Sequence, residues 1–171
     1  MKEFFQTYHR CRCRHDTDGH HACGKVHKMR YESNSPQETE KIGNLFGGIA
    51  RRGSIYTLSG DLGTGKTVLS QGFAKGLGIR EIVNSPTFTI VNEYTTGVMP
   101  FYHFDVYRIS DPEEMYEIGF EEYLYGDGIC LIEWGELIRD LLPENTISIR
   151  IEKDLSKGED YRLIHINGEW R

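Results

Sequence analysis

No stretch of this sequence approaches the roughly 18 consecutive apolar residues that a helix needs to cross a bilayer, and its first residues carry no apolar core of a secretory signal. Spanning and export are therefore disfavoured, and the cytoplasm is the expected address. Cysteine is scarce where a stapled fold would need it. Of the four, three lie in the first 28 residues, and Cys130, inside an apolar run, is alone in the rest. Reduced thiols fit that address, and Cys130 reads as a small buried apolar residue. Positive charge is short as well: 20 Lys and Arg stand against 26 Asp and Glu, a net of −6. An autonomous binder of nucleic acid or anionic membrane is not expected from that balance. Internal repeats are missing too.

What is present is unevenly spread. The first 28 residues hold five of the seven histidines and six bases against three acids, a net of +3; the remaining 143 hold 14 bases against 23 acids, a net of −9. Met1 to Lys28 show no helical or strand periodicity and read as a disordered Cys- and His-rich extension, with Met29 as the expected true start. Cys11, Cys13, His15, His20, His21 and Cys23 offer thiolates and imidazoles, but the CxC spacing lacks the paired CxxC geometry of structural zinc, so a plain extension is preferred. Residues 29–171 are the expected domain, large enough to bury a core without staples.

Within that domain the local signals are orderly. Ser35, Pro36 and Glu38 read as N-cap, first helical position and capping-box partner of a helix that carries Ile42, Leu45, Phe46 and Ile49 and ends near Arg51. Ser54 to Ser59 reads as a strand running into Gly60. A second helix follows with Leu69, Phe73 and Leu77 on one face, Gly72 and Gly76 on a smooth face suited to close packing on a sheet, and Gly78 as its cap. Thr87 to Tyr94 and Met99 to Arg108 read as a hairpin. Asp111, Pro112 and Glu114 start a short acidic helix that Gly119 ends. Ile129 to Ile132 reads as a strand covered on both faces. Leu137, Ile138, Leu141 and Leu142 form a helix closed by Pro143, and Asn145 to Ile151 and Tyr161 to Ile166 alternate as two more strands. Together these describe an α/β fold: a P-loop NTPase-like three-layer sandwich whose mixed sheet has a central parallel part and an antiparallel hairpin insertion.

Gly60 to Thr67 reads GDLGTGKT, a full match to GxxxxGK[ST] set between a predicted strand and a predicted helix. Glycines at 60, 63 and 65 admit backbone conformations that a Cβ forbids, so successive N–H groups point at phosphate oxygens. The following helix adds the partial positive charge of its N-terminus. Lys66 is placed for the β- and γ-phosphates and Thr67 for Mg²⁺. The reading is a nucleoside triphosphate site.

Such a site needs a carboxylate for its metal. Glu133 ends a buried-type run, at the carboxyl end of a strand where ligands of open α/β sheets lie, and is the Walker B candidate. Asp105 is the second: on its strand Phe101, His103, Asp105 and Tyr107 share a face, and an idle acid among aromatics is costly. It would position the attacking water or a metal-bound water; a structural acid paired with Arg108 or a backbone N–H is the competing reading. His103 reads as a hydrogen-bonded packing residue. Thr87, in the segment SPTF, is a candidate sensor of the γ-phosphate or an ordinary strand-opening threonine. Trp134 packs under the site or meets a partner.

The nearest approach to an Asn-Lys-x-Asp guanine loop, Glu152-Lys153-Asp154, lacks the asparagine and the spacing, so GTP is disfavoured. The segment from Asp111 to Gly128 is acidic and poor in arginine, unlike the lid of a small-molecule kinase. A compact ATPase that drives conformational change is preferred; a kinase and a non-hydrolysing, nucleotide-dependent interaction module are the alternatives.

GDLGTGKT, NSPTFTIVNEY, FYHFDVYRI with DPEE, and LIEW, in this order and spacing, resemble the TsaE (YjeE) family of bacterial P-loop ATPases, over about Tyr31 to Ile166. The resemblance implies ATP and Mg²⁺ as cofactors and a part in threonylcarbamoylation of the adenosine beside the anticodon of tRNAs reading codons that begin with A. It also implies TsaD and TsaB as partners, with TsaD performing the transfer from threonylcarbamoyl-AMP and tRNA met only through the complex. By motif, it carries Gly63, Thr64, Gly65, Lys66 and Thr67 to the phosphates, Thr67 and Glu133 to Mg²⁺, Asp105 to hydrolysis and Trp134 to the functional surface. The helix start from Ser35 to Thr39 would lie near the adenine. Gly135 departs from the family's usual proline after the tryptophan, and the first 28 residues have no counterpart in its usual beginning.

Overall fold

The computed structural model describes residues 6–13 and 23–169, with side chains from His27 onward. The candidate metal set of Cys11, Cys13, His15, His20, His21 and Cys23 lies outside the residues whose side chains are described. Strands β1 (Gln6–Cys13) and β2 (Cys23–Ser33) precede helix α1 (Pro36–Ile49), strand β3 (Ile55–Ser59) and helix α2 (Lys66–Gly76). Then come β4 (Val91–Tyr94), β5 (Phe101–Asp105), the short helices α3 (Glu114–Glu117) and α4 (Phe120–Leu124), β6 (Ile129–Glu133), β7 (Ile147–Lys153) and β8 (Arg162–Gly168).

The eight strands form one sheet in the order β1-β2-β8-β7-β3-β6-β5-β4. β7, β3, β6 and β5 are parallel, while β1, β2, β8 and β4 join antiparallel at the two sides. Alternation along the strands sends side chains to two cores. Leu58, Leu131 and Phe101 pack with Phe46, Leu69 and Phe73 of α1 and α2 on one face. Ile55, Cys130, Ile132 and Phe104 pack with Met115, Phe120, Leu124 and Ile138 on the other. Three layers result, and every residue of β6 is buried between the outer two.

Local chemistry explains the helix ends. Ser35 Oγ accepts the Glu38 N–H at 3.2 Å, while the Glu38 carboxylate takes the N–H of Asn34 instead of that of Ser35. At the end of α2, Gly78 at φ +78° lets its own N–H reach the Lys75 carbonyl and that of Ile79 reach the Ala74 carbonyl, a Schellman closure.

Three expectations are corrected. The glycine face of α2 packs on α1 and not on the sheet: a Cβ on Gly72 or Gly76 would overlap the Glu40 or Asn44 carbonyl, and one on Gly43 or Gly47 those of Leu69 or Phe73. Only another helix with small residues permits that backbone approach; a sheet face presents side chains. The predicted strand from Thr87 shortens to Val91–Tyr94, because Thr89 and Ile90 turn back to the Pro86 carbonyl and Ile90 takes φ +65°. The predicted helix around Leu137 is a 3-10 segment, Gly135–Leu141, interrupted at Ile138. At the other side of the sheet, β2 runs through Met29 unbroken and pairs with β8 from His27↔Gly168 to Ser33↔Arg162. The expected boundary between residues 28 and 29 thus falls inside a strand. Residues 6–13 and 23–28 lengthen the sheet, since an open edge of β8 offers unpaired N–H and C=O groups.

Candidate functional site

The parallel strands β3, β5 and β6 deliver their carboxyl ends to one edge of the sheet, and the loop from Gly60 to Gly65 leaves β3 there to start α2. Gly60, Gly63 and Gly65 have φ of +145°, +70° and +100°. These are left-handed conformations that a side chain resists. Gly65 caps α2, and the space where its Cβ would stand is open. Thr64 is buried, its hydroxyl donating to the Asp61 carbonyl at 2.9 Å.

Lys66 folds back over this loop. Its Nζ donates to the carbonyls of Gly60 at 2.7 Å and Asp61 at 3.1 Å, and lies 4.1 Å from the centre of the Trp134 ring. Burial pushes the ammonium below the usual lysine range, opposed by the attraction of Glu133 and Asp105.

Asp105, 4% exposed, ends β5. Its Oδ2 accepts the hydroxyls of Ser85 at 2.6 Å and Thr87 at 2.7 Å, and its Oδ1 the Tyr107 N–H at 3.1 Å. Of the two structural partners expected for it, the backbone N–H is present in Tyr107, while Arg108 lies over the Phe88 ring. Glu133, opposite Asp105 in the β5–β6 register and 2% exposed, accepts at Oε1 from Ser70 Oγ at 3.1 Å and meets His103 Nε2 at 2.9 Å. Trp134 follows at φ +62° and ψ +28°, a conformation that costs an aromatic residue on the order of 1–3 kcal/mol. The turn swings its ring over Lys66 and within 5.0 Å of the Tyr107 ring.

One cavity of about 500 Å³ joins these groups. Its lining includes Thr39, Gly63, Thr64, Gly65, Lys66, Thr67, Thr87, Asp105, Glu133 and Trp134, ten of the eleven candidate site residues. Gly60 lies off the lining, where its carbonyl anchors Lys66. Thr39, buried at the start of α1, shares a 2.8 Å hydrogen bond with Ser33. Tyr107, expected on the β5 face, lies beyond the strand's end, at the cavity wall.

Sequence reasoning missed Ser85 and Arg162. Ser85 sits two residues from Thr87 in the segment that was noticed. Arg162 opens β8, and because β8 runs antiparallel to β7, its first residue falls on the edge where the parallel strands end. Nothing local to Arg162 in the sequence signals that placement.

Residues 33–162 match the family described as "Threonylcarbamoyl adenosine biosynthesis protein TsaE". The chain belongs to the TsaE family. It is 47% identical over 137 residues to the tRNA threonylcarbamoyladenosine biosynthesis protein TsaE of Bacillus subtilis, covering 80% of this chain and 84% of that one. It is 44% identical over 123 residues to the protein of the same name from Treponema pallidum, covering 72% and 90%. The crystal structure of Bacillus subtilis YdiB superposes with a TM-score of 0.72 at 41% identity, over 85% of this chain and 88% of that one. Beside Trp134, Gly135 packs on Thr57, whose Cγ2 would stand 2.5 Å from an added Cβ.

Proposed function

We propose that this protein binds ATP with Mg²⁺ and hydrolyses it slowly by itself, as the ATPase of tRNA threonylcarbamoylation at the adenosine beside the anticodon in tRNAs reading codons that begin with A. It works in the cytoplasm with TsaD and TsaB; TsaD performs the transfer, and tRNA is met through the complex. Relatives carry the biosynthetic name. The observation that carries the ATPase reading is the convergence of Lys66, Thr67, Asp105 and Glu133 on one cavity at the N-terminus of α2.

The residues fit the group they would hold. A threonine hydroxyl and two carboxylates make a hard oxygen set suited to Mg²⁺, with Thr67 and Glu133 as its holders and Asp105 beside them. Bound there, Mg²⁺ would neutralise phosphate charge. The loop glycines let N–H groups face the triphosphate, and the helix N-terminus favours the anion. Lys66 exchanges its two carbonyl partners for phosphate oxygens. Asp105 holds the attacking water, which its position at the cavity wall and its anionic oxygens allow. Thr39 lies at the adenine end. Arg162, also at the cavity wall, donates through Nε and Nη1 to the carbonyls of Thr64, Glu159 and Tyr161 and so braces the loop.

The test is reconstitution of tRNA threonylcarbamoylation with TsaD and TsaB over repeated turnovers, with and without this protein. Omission, K66A and E133A are each expected to stop turnover. Undiminished hydrolysis and modification with both variants would refute the reading, and γ-phosphate label found on a small acceptor would make the protein a kinase.

A further inference from the structure

His103 is fully buried on β5, stacked on Phe101 with centroids 6.0 Å apart and planes 17° from parallel. Its Nε2 lies 2.9 Å from Glu133 Oε1 on the adjacent strand, and its Nδ1 has no hydrogen-bond partner. That pattern assigns the ring proton. On Nδ1 it would be a buried N–H without an acceptor, and the Nε2 lone pair would face a carboxylate oxygen. On Nε2 it is donated to Glu133.

Ser70 does not provide an equivalent hold. Its single hydroxyl proton has two acceptors within reach, Glu133 Oε1 at 3.1 Å and the Lys66 carbonyl at 3.0 Å. Both hydrogen bonds to the Glu133 carboxylate fall on Oε1. We infer that His103 is the positioning residue of Glu133: its Nε2–H pins Oε1 to the core so that the other carboxylate oxygen is presented to a divalent cation in the cavity. This rests on the reading of Glu133 as the cation-binding carboxylate. A side chain two residues before Asp105 on the same strand thus serves the neighbouring acid, an outer-shell role of a kind that commonly changes metal affinity about 10- to 100-fold when removed.

The experiment is titration of Mn²⁺ into the ATP complex, followed by electron paramagnetic resonance, for the wild type, H103F, H103Q and E133A. Nucleotide affinity without metal is measured alongside. Phenylalanine keeps the ring and the stack but has no N–H; the glutamine amide nitrogen stands where Nε2 does. H103F is expected to weaken Mn²⁺ about tenfold with metal-free nucleotide affinity within about twofold, and H103Q to recover most of the loss. If circular dichroism shows H103F unfolded, H103N, whose amide is too short for Oε1, replaces it. Wild-type Mn²⁺ affinity in H103F, or no recovery in H103Q, overturns the inference. Unchanged Mn²⁺ affinity in E133A overturns the reading of Glu133 as well, so the two failures are separable.

Discussion

The guanidinium Nε of Arg162 donates to the carbonyl of Thr64 at 2.7 Å, tying the first residue of β8 to the phosphate loop 98 positions earlier. Lys153 on β7 does the same for the Leu62 carbonyl at 3.2 Å. In a trans peptide the C=O and the following N–H point in opposite directions, so a carbonyl held by the hairpin aims the next amide away from it. The amides so aimed are those of Gly63 and Gly65, both at the cavity wall. Arg162→Ala is expected to weaken ATP by about ten- to a hundredfold by calorimetry, in line with roughly 1.5–3 kcal/mol for a charge-assisted hydrogen bond. Arg162→Lys should recover little, since one ammonium cannot span the carbonyls the guanidinium joins. An unchanged Kd in R162A would show that the loop holds its shape unaided.

If Lys66 holds the phosphates as proposed, ATP affinity should be sensitive to alkali. Burial lowers its pKa from 10.5, so the folded protein releases this proton before the unfolded chain does. The buried charge therefore costs stability below the folded pKa, and that cost disappears as pH rises through it toward 10.5. Phosphate binding follows the charge in the opposite sense. ATP affinity should decline as pH rises through the lowered pKa, before 10.5 is reached, while the weak residual affinity of K66M stays flat over the same range. Parallel profiles for the two proteins would remove Lys66 as the cause.

Asp105 can be tested as a catalytic group apart from its structural contacts. Asn keeps its volume, and the Ser85 and Thr87 hydroxyls can turn to suit an amide. D105N is expected to retain a Tm within a few degrees while hydrolysis falls about a hundredfold or more. D105A should lose stability too, because it leaves the Tyr107 N–H and two hydroxyls without their acceptor. Wild-type kcat in D105N would reduce Asp105 to a structural acid.

Two alanine substitutions separate helix propensity from packing. Gly72→Ala drives a methyl into the Glu40 carbonyl and should cost about 1–3 kcal/mol in urea unfolding. Gly48→Ala on exposed α1 meets only the Gly76 carbonyl at 3.9 Å, an ordinary contact, and should stabilise by about 0.5 kcal/mol. Equal effects would mean that the α1–α2 contact is looser than described.

Cys130 should resist thiol reagents. Burial raises its thiol to about 12, and Sγ donates to the Tyr123 carbonyl at 3.3 Å. Alkylation at pH 8 followed by peptide mapping should leave Cys130 unmodified in the native protein and label it only after denaturation. Labelling of the native protein at the rate of a free thiol would contradict the packing of the second core.

Read in order, residues 60–67 announce a phosphate loop because its requirements are local: glycines at the left-handed positions, a strand before and a helix after. The buried run ending at Glu133 and the cap at Ser35 are legible for the same reason, since period and capping chemistry act over a few residues. His103 shows where such reading stops. A histidine among aromatics looks like packing until β5 and β6 are paired in register and its Nε2 meets Glu133. The glycines of α2 showed that backbone would approach something closely, but not whether a sheet or a helix; their partners lie in α1, about 30 residues earlier by the numbering. Arg162 and Thr64 meet only because β8 returns antiparallel beside β7, and the first strands join the sheet only because β8 leaves an edge. Short-range sterics and periodicity thus determined the loop, the cap and the acid at a strand's end. Which groups stand opposite each other across strands depends on chain reversals and on the side-chain packing that sets their register, and the folded chain alone decided that.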